Sequence, residues 1–183
     1  MAVHPPIGNN ILEGVLGVVD IIFDGVYLGR TTADTEIIPE EDNKEIMFGQ
    51  AGTKADDLVP TGISYTVNCT FGEITADRIE LLQRGFTGNA TSGVFGRDIY
   101  ISRREYSKVL RIIRVNSEGQ RVANEEMIIT FYNASPQITG TLLGYGPDLQ
   151  RNIPVTFYIF YNTTNRAFGY YGNASSQNLV PVA

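Results

Sequence analysis

Apolar and polar positions alternate along much of this chain, most regularly over residues 63–74. There Ile63, Tyr65, Val67, Cys69 and Phe71 fall on one face, and Ser64, Thr66, Asn68 and Thr70 on the other. That two-residue period is the pattern of a half-buried strand. Residues 18–23 read as another strand, closed by Asp24-Gly25, a pair suited to a two-residue hairpin, with residues 26–28 returning as its partner. Residues 44–50 form a further short strand candidate, and others follow at 98–102, 108–115, 127–132 and 153–161. Residues 117–120 mark a turn, and 86–96 read as a loop.

One segment has a helical period instead. Thr75 can cap it, Asp77 favours its first turn, Ile79, Leu81 and Leu82 supply an apolar stripe, and Gly85 stops it. So few residues do not hold a helix alone, so it is expected to dock on a sheet. The pattern predicts a mainly β fold: a β-sandwich or barrel with one packed α-helix, a long inter-strand loop and extended termini. A single domain is expected over residues 1–183, with arms at 1–14 and 172–183.

Composition reinforces the β reading. The chain has 183 residues with 10 Tyr, 9 Phe and no Trp, a bias towards strand formers. A domain of this size buries roughly 70% of its unfolded surface and needs no staples. Cys69 is the one cysteine, which excludes an intramolecular disulfide and a Cys-based metal cluster and reads as a small buried hydrophobe on a strand. The opening residues lack a basic region followed by an apolar run, and residues 11–23 are interrupted by Glu13 and Asp20. The expectation is a protein folded in a reducing cytoplasm without membrane insertion. The Asn-x-Ser/Thr sites at Asn68, Asn89, Asn133, Asn162 and Asn173 are then turn and strand polar residues, not glycan acceptors.

Charge adds an asymmetry. The net charge is −6, but residues 1–74 hold 12 Asp/Glu against 3 Lys/Arg, while residues 75–183 hold 8 against 11. An acidic total argues against sequence-independent nucleic-acid binding. The two halves either associate head to tail between copies or neutralise each other within one monomer.

Catalytic patterns are missing. The one histidine, His4, precedes two prolines in a terminal arm without a pocket. Asp34, Glu36, Glu40, Glu41, Asp42 and Glu45 lack the spacing and the glycine of a calcium loop, and read as a solvated or lumen-facing acidic loop. A carboxylate pair for glycoside cleavage stays open, although the aromatic platforms usual for sugars lack Trp. Residues 140–146 are Gly-rich without the Lys-Ser/Thr ending of a phosphate loop. Arg103, Arg104, Lys108, Arg111 and Arg114, with Tyr106 among them, suit a partly buried protein contact better than a phosphate track, because apolar residues split them. The expectation is a non-enzyme without cofactor or metal. Lys108, Arg111 and Arg114 are its basic subunit-contact candidates.

Residues 23–82 resemble phage tail tube (major tail) proteins. The resemblance rests on Asp24-Gly25-Val26-Tyr27-Leu28-Gly29, an acidic segment, and the run from Gln50-Ala51-Gly52-Thr53-Lys54 through Asp56, Asp57, Leu58 and Val59 to Gly62. The alternating strand and Glu73-Ile74-Thr75 leading into the helix complete it. This resemblance implies subunits that close into rings, commonly of six, by joining sheets edge to edge around a channel. Rings would stack into a hollow tube for genome delivery. The loop over residues 48–62 would contact the next ring through Gly52, Thr53, Lys54, Asp56, Asp57, Leu58 and Val59, and the arms would lock neighbours. Asp34, Glu36, Glu40, Glu41 and Asp42 would face an acidic lumen past which DNA slides without specific binding. Its implied partners are copies of itself, tape-measure, terminator and baseplate proteins, and a sheath if the tail is contractile. Assembly would take place in the host cytoplasm, and the product would reside in the virion. The alternatives are another ring component, such as a terminator or baseplate hub, and a carbohydrate- or surface-binding β-sandwich displaying Tyr145, Tyr170 and Tyr171.

Overall fold

The structure, a computed structural model, describes residues 17–46, 57–72, 75–83, 86–88, 93–95, 101–116, 118–121, 128–140 and 152–172. It is mainly β. Eight strands form one antiparallel sheet: β1 (Val19–Phe23), β2 (Val26–Arg30), β3 (Glu36–Ile46), β4 (Asp57–Phe71), β7 (Lys108–Arg114), β8 (Ile128–Ile138), β9 (Ile153–Phe160) and β10 (Gly169–Tyr171). The path runs β2-β1-β7-β8-β9-β4-β3, with β10 also pairing β8. Two short strands, β5 (Phe86–Gly88) and β6 (Gly93–Phe95), pair separately. The helix is α1 (Ala76–Leu82).

The first hairpin follows from its turn. Asp24 and Gly25 have φ of 51° and 77°, the two positive values of a type I′ turn, which matches the twist of the flanking strands. Alternation then sorts the faces. In β9, Ile153, Val155, Phe157 and Ile159 are buried, and in β4 so are Val67, Cys69 and Phe71. Ile63, expected on that buried row, is 50% exposed because β4 continues past the body of the sheet at that point.

The sheet curls around its apolar face. β1 and β9 are three strand spacings apart in the sheet order, roughly 14 Å if it were flat, yet the Phe23 and Phe157 rings approach to 5.6 Å. An isolated bridge between Thr31 and Phe71 joins the end of β2 to the end of β4. Thr32 N–H also donates to Thr70 O at 2.8 Å. Helix α1 closes the core with Ile79 and Leu82. Its Thr75 occupies the N-cap without a side-chain cap bond, and the helix ends at Leu82, with Gln83 extended, ahead of the expected stop at Gly85.

β9 and β10 are two pieces of one line. β8 pairs β9 up to Asn133↔Phe160 and β10 from Phe131↔Gly169, so residues 161–168 leave the sheet opposite Tyr132 and return to it. Gly169 sits so close to β8 that a Cβ there would lie 2.8 Å from Phe131 Cα, a separation no side chain tolerates.

Four expectations are corrected. The acidic segment is not a loop: Glu36 to Ile46 is a strand held by β4 through eleven register pairs, and residues 57–62 of the expected long loop are strand as well. Residues 86–96 contain the β5–β6 hairpin, not only a loop. Residues 101–102 of the expected strand at 98–102 lie outside any strand. Both terminal arms lie outside the described residues, apart from Gly172.

Candidate functional site

Two features of the sheet stand apart from ordinary core packing: a buried carboxylate cluster near β2 and a two-stranded extension at β3. The alternation that points Val19, Ile21 and Phe23 inward turns Asp20 to the other face, where it is 1% exposed. Arg30 Nε donates to Asp20 Oδ1 at 2.9 Å, Arg121 Nε donates to Oδ2 at 2.6 Å, and the Tyr27 hydroxyl donates to Oδ1 at 3.1 Å. The Arg121 guanidinium also lies over the Tyr27 ring, 4.6 Å from its centroid. Burial pushes the Asp20 carboxyl up, but the donors from Arg30, Arg121 and Tyr27 outweigh it and hold it below its ordinary value. This carboxylate stays ionised and fully engaged, which suits a clamp and not proton transfer.

Cys69 is buried, its Sγ 3.6 Å from Val155 O, and burial pushes its thiol up to about 12. A thiol held protonated is a poor nucleophile. Among the described residues no group of three or more His, Cys, Asp and Glu could hold a metal ion, and no helix is long and apolar enough to cross a membrane.

The second feature is the β3–β4 ribbon. β9 pairs β4 only from Tyr65 onward, so residues 40–46 and 57–64 pair with each other and with no other described strand. Seven residues of β3 extend about 20 Å at strand rise. A bulge lies between Asp42 and Asn43, where Thr61 is the extra residue and its Oγ1 donates to Asp42 O at 2.9 Å. The ribbon is stabilised by its ladder, and it keeps apolar side chains in solvent: Val59 is 40% exposed and Ile63 50%.

The acidic candidates divide by register. Glu36, Glu40 and Asp42 share the outward face of β3, Glu41 lies on the opposite face, and Asp34 is exposed in the turn before the strand. None of them has an ion-pair partner among the described residues. Of the loop candidates, Asp57, Leu58 and Val59 lie in the ribbon, while Gly52, Thr53, Lys54 and Asp56 lie outside the described residues. The basic candidates on β7 do not share one surface. Lys108 Nζ is 3.8 Å from Asp24 Oδ2, Arg111 is exposed on the outward face, and Arg114 is half-buried at the end of the inward row.

At the ribbon's base an open groove of about 840 Å³ is lined by residues of β3, β4 and β9, by Arg103 and Arg104, and by Tyr161 and Phe168. Its lining is mostly apolar, with a polar pair where Thr156 Oγ1 donates to Asn68 Oδ1 at 2.8 Å. Arg103 and Arg104 adjoin Tyr161 and Phe168 of the excursion along it, Arg104 reaching Tyr161 O. Phe168 packs edge-on between Tyr65 and Tyr161, with ring centroids at 5.0 and 5.4 Å. The tyrosines of the sugar-binding alternative do not gather there. Tyr170 stacks on Tyr132 at 5.6 Å, Tyr171 is 55% exposed on β10, and Tyr145 lies outside the described residues.

The sequence reading missed the Asp20 clamp and the groove. A buried acid in a hydrophobic strand with an arginine across the hairpin was the available signal for the first. The groove is assembled from strands distant in the chain and left no local signal. No family model matches this chain, and no curated protein compared with it matches.

Proposed function

We propose that this chain is a non-enzymatic structural subunit that assembles with copies of itself into stacked rings, the hollow tube of a phage tail. The observation that supports this reading most is the β3–β4 ribbon. The two-stranded extension leaves apolar side chains in water, and the eleven-residue edge strand has one partner among the described residues. Unpaired strand edges are templates for further pairing. Pro39 and the charges of β3 restrain indiscriminate pairing, so the edge suits a specific contact.

In this reading sheets join edge to edge into a ring, commonly of six, and the ribbon, with Asp57, Leu58 and Val59, reaches the ring above. Such an interface is heterologous, so it repeats, and rotation decides between closure and extension. The acidic residues of β3 nearest the sheet body face the channel and repel passing DNA, which needs no specific site. Tape-measure, terminator and baseplate proteins complete the assembly in the host cytoplasm, with a sheath where the tail contracts.

Negative-stain electron microscopy of the concentrated protein at moderate salt tests this. Hollow tubes with a regular axial repeat are expected. Isolated rings that never stack would point to a terminator or hub, and a strict monomer at every concentration would overturn the reading.

A further inference from the structure

Among the described residues, no ion pair engages Glu40, Glu41 or Asp42 of the ribbon. Residues 40–46 and 57–64 contain Glu40, Glu41, Asp42, Glu45 and Asp57 against Lys44 alone. On β3 the outward row continues from Asp42 to Lys44, and Val59 is the register partner of Lys44. One face of the ribbon therefore presents an acid, a base and an exposed aliphatic side chain within a few ångströms.

The groove presents the complement. Arg103 is fixed there: its guanidinium lies 4.4 Å from the Tyr158 ring centroid and donates to Gln137 Oε1. That anchors the turn carrying Arg104 and Glu105, both exposed. Arg104 donates to Tyr161 O at a long 3.5 Å, leaving most of its donors to solvent. Tyr161, 43% exposed, stands beside it. Arg104 and Tyr161 of the groove, with Glu105 beside Arg104 in the adjoining turn, its Oε2 accepting from Ser102 N–H at 3.3 Å, thus match the acid, valine and base of the ribbon. The two surfaces cannot meet within one chain, because the ribbon springs from the groove's own rim at Glu40 and Ile63 and stays paired to Ile46↔Asp57.

We infer that the ribbon of one copy docks in the groove of the next, with Asp42 meeting Arg104, Lys44 meeting Glu105 and Val59 packing on Tyr161. This rests on the self-assembly reading and supplies the acceptor surface it lacks. It assigns Asp42 to a contact and leaves Asp34 and Glu36 for the channel.

The test is charge exchange, read by sedimentation velocity as the concentration at which half the protein is assembled. Asp42→Arg and Arg104→Asp should each raise that concentration about tenfold or more, as desolvated interfacial charge pairs do. The chain carrying both changes should return to within about threefold of the parent. Val59→Asp should show the same loss as the single reversals, and unchanged thermal unfolding of all variants excludes misfolding as its cause. Full assembly of both single variants, or no recovery in the double, would overturn the docking while leaving self-assembly intact. A parent chain that never associates would overturn both.

Discussion

At the β2 end of the sheet, buried polar groups are covered and satisfied. Asp20 lies beneath Arg30 and Arg121, Arg78 Nη1 donates to the edge carbonyl of Leu28 at 2.9 Å, and Thr31 bridges to Phe71. Aliphatic side chains reach solvent at both ends, Val26 at 42% and Val59 at 40%, but at the β3 end they stand among charges along a ribbon that no third described strand joins. The first end resembles a finished monomer and the second an unfinished contact. Uncovered strand edges are templates for pairing, so on the assembly reading proposed above the contrast separates a surface spent on folding from one kept for association.

The comparison can be broken by mutation, starting where the fold is most committed. Phe157→Ala removes a ring from the centre of the curled sheet and should cost about 4 kcal/mol in urea unfolding, because Phe23 loses the partner 5.6 Å away. Gly169→Ala forces a Cβ against Phe131 and should cost about 2 kcal/mol by overpacking, with β10 peeling from β8 in hydrogen exchange.

Asp20→Asn should cost somewhat less, since the arginines it abandons are nearly half exposed and can turn to water. Its pH dependence sharpens the point. Because the folded carboxyl titrates below its ordinary value, its stabilisation is complete above about pH 4 and fades as pH falls through the lower folded value. The gap in unfolding free energy between parent and Asp20→Asn should therefore be constant near neutrality and narrow in acid. A gap that widens in acid would refute the clamp. The smallest effect on folding is expected at the other end. Val59→Asp, at a side chain already 40% exposed, should change monomer stability by no more than about 0.5 kcal/mol while, on the assembly reading, abolishing ring stacking; normal tubes from this variant would remove the ribbon from that reading.

Local pattern made part of this fold legible. β1, β7 and β9 follow from runs of β-branched and aromatic residues, and the first hairpin follows from Asp24-Gly25, because each signal acts within a few residues. β3 was not legible. An edge strand exposed on both faces has no alternation to display, and its acidic side chains and Pro39 argue for a loop until β4 is known to pair with it. The Asp20 clamp was hidden for a related reason: Arg121 is 101 residues away, and only the fold brings it within reach. The acidic run was visible, but its division into Glu36, Glu40 and Asp42 on one face and Glu41 on the other required the register.

The excursion between β9 and β10 separates two kinds of change. β8 continues across it from Asn133 to Phe131 while its partner line leaves for eight residues and rejoins at Gly169. Its length is therefore not dictated by the ladder, and closing a longer loop costs little more than closing a short one. Residues can be added or exchanged at its tip, around Thr163 and Thr164, without shifting any pairing in the sheet. Selection, or an engineer, can rewrite this patch to recognise something new while the folding instructions stay as they are.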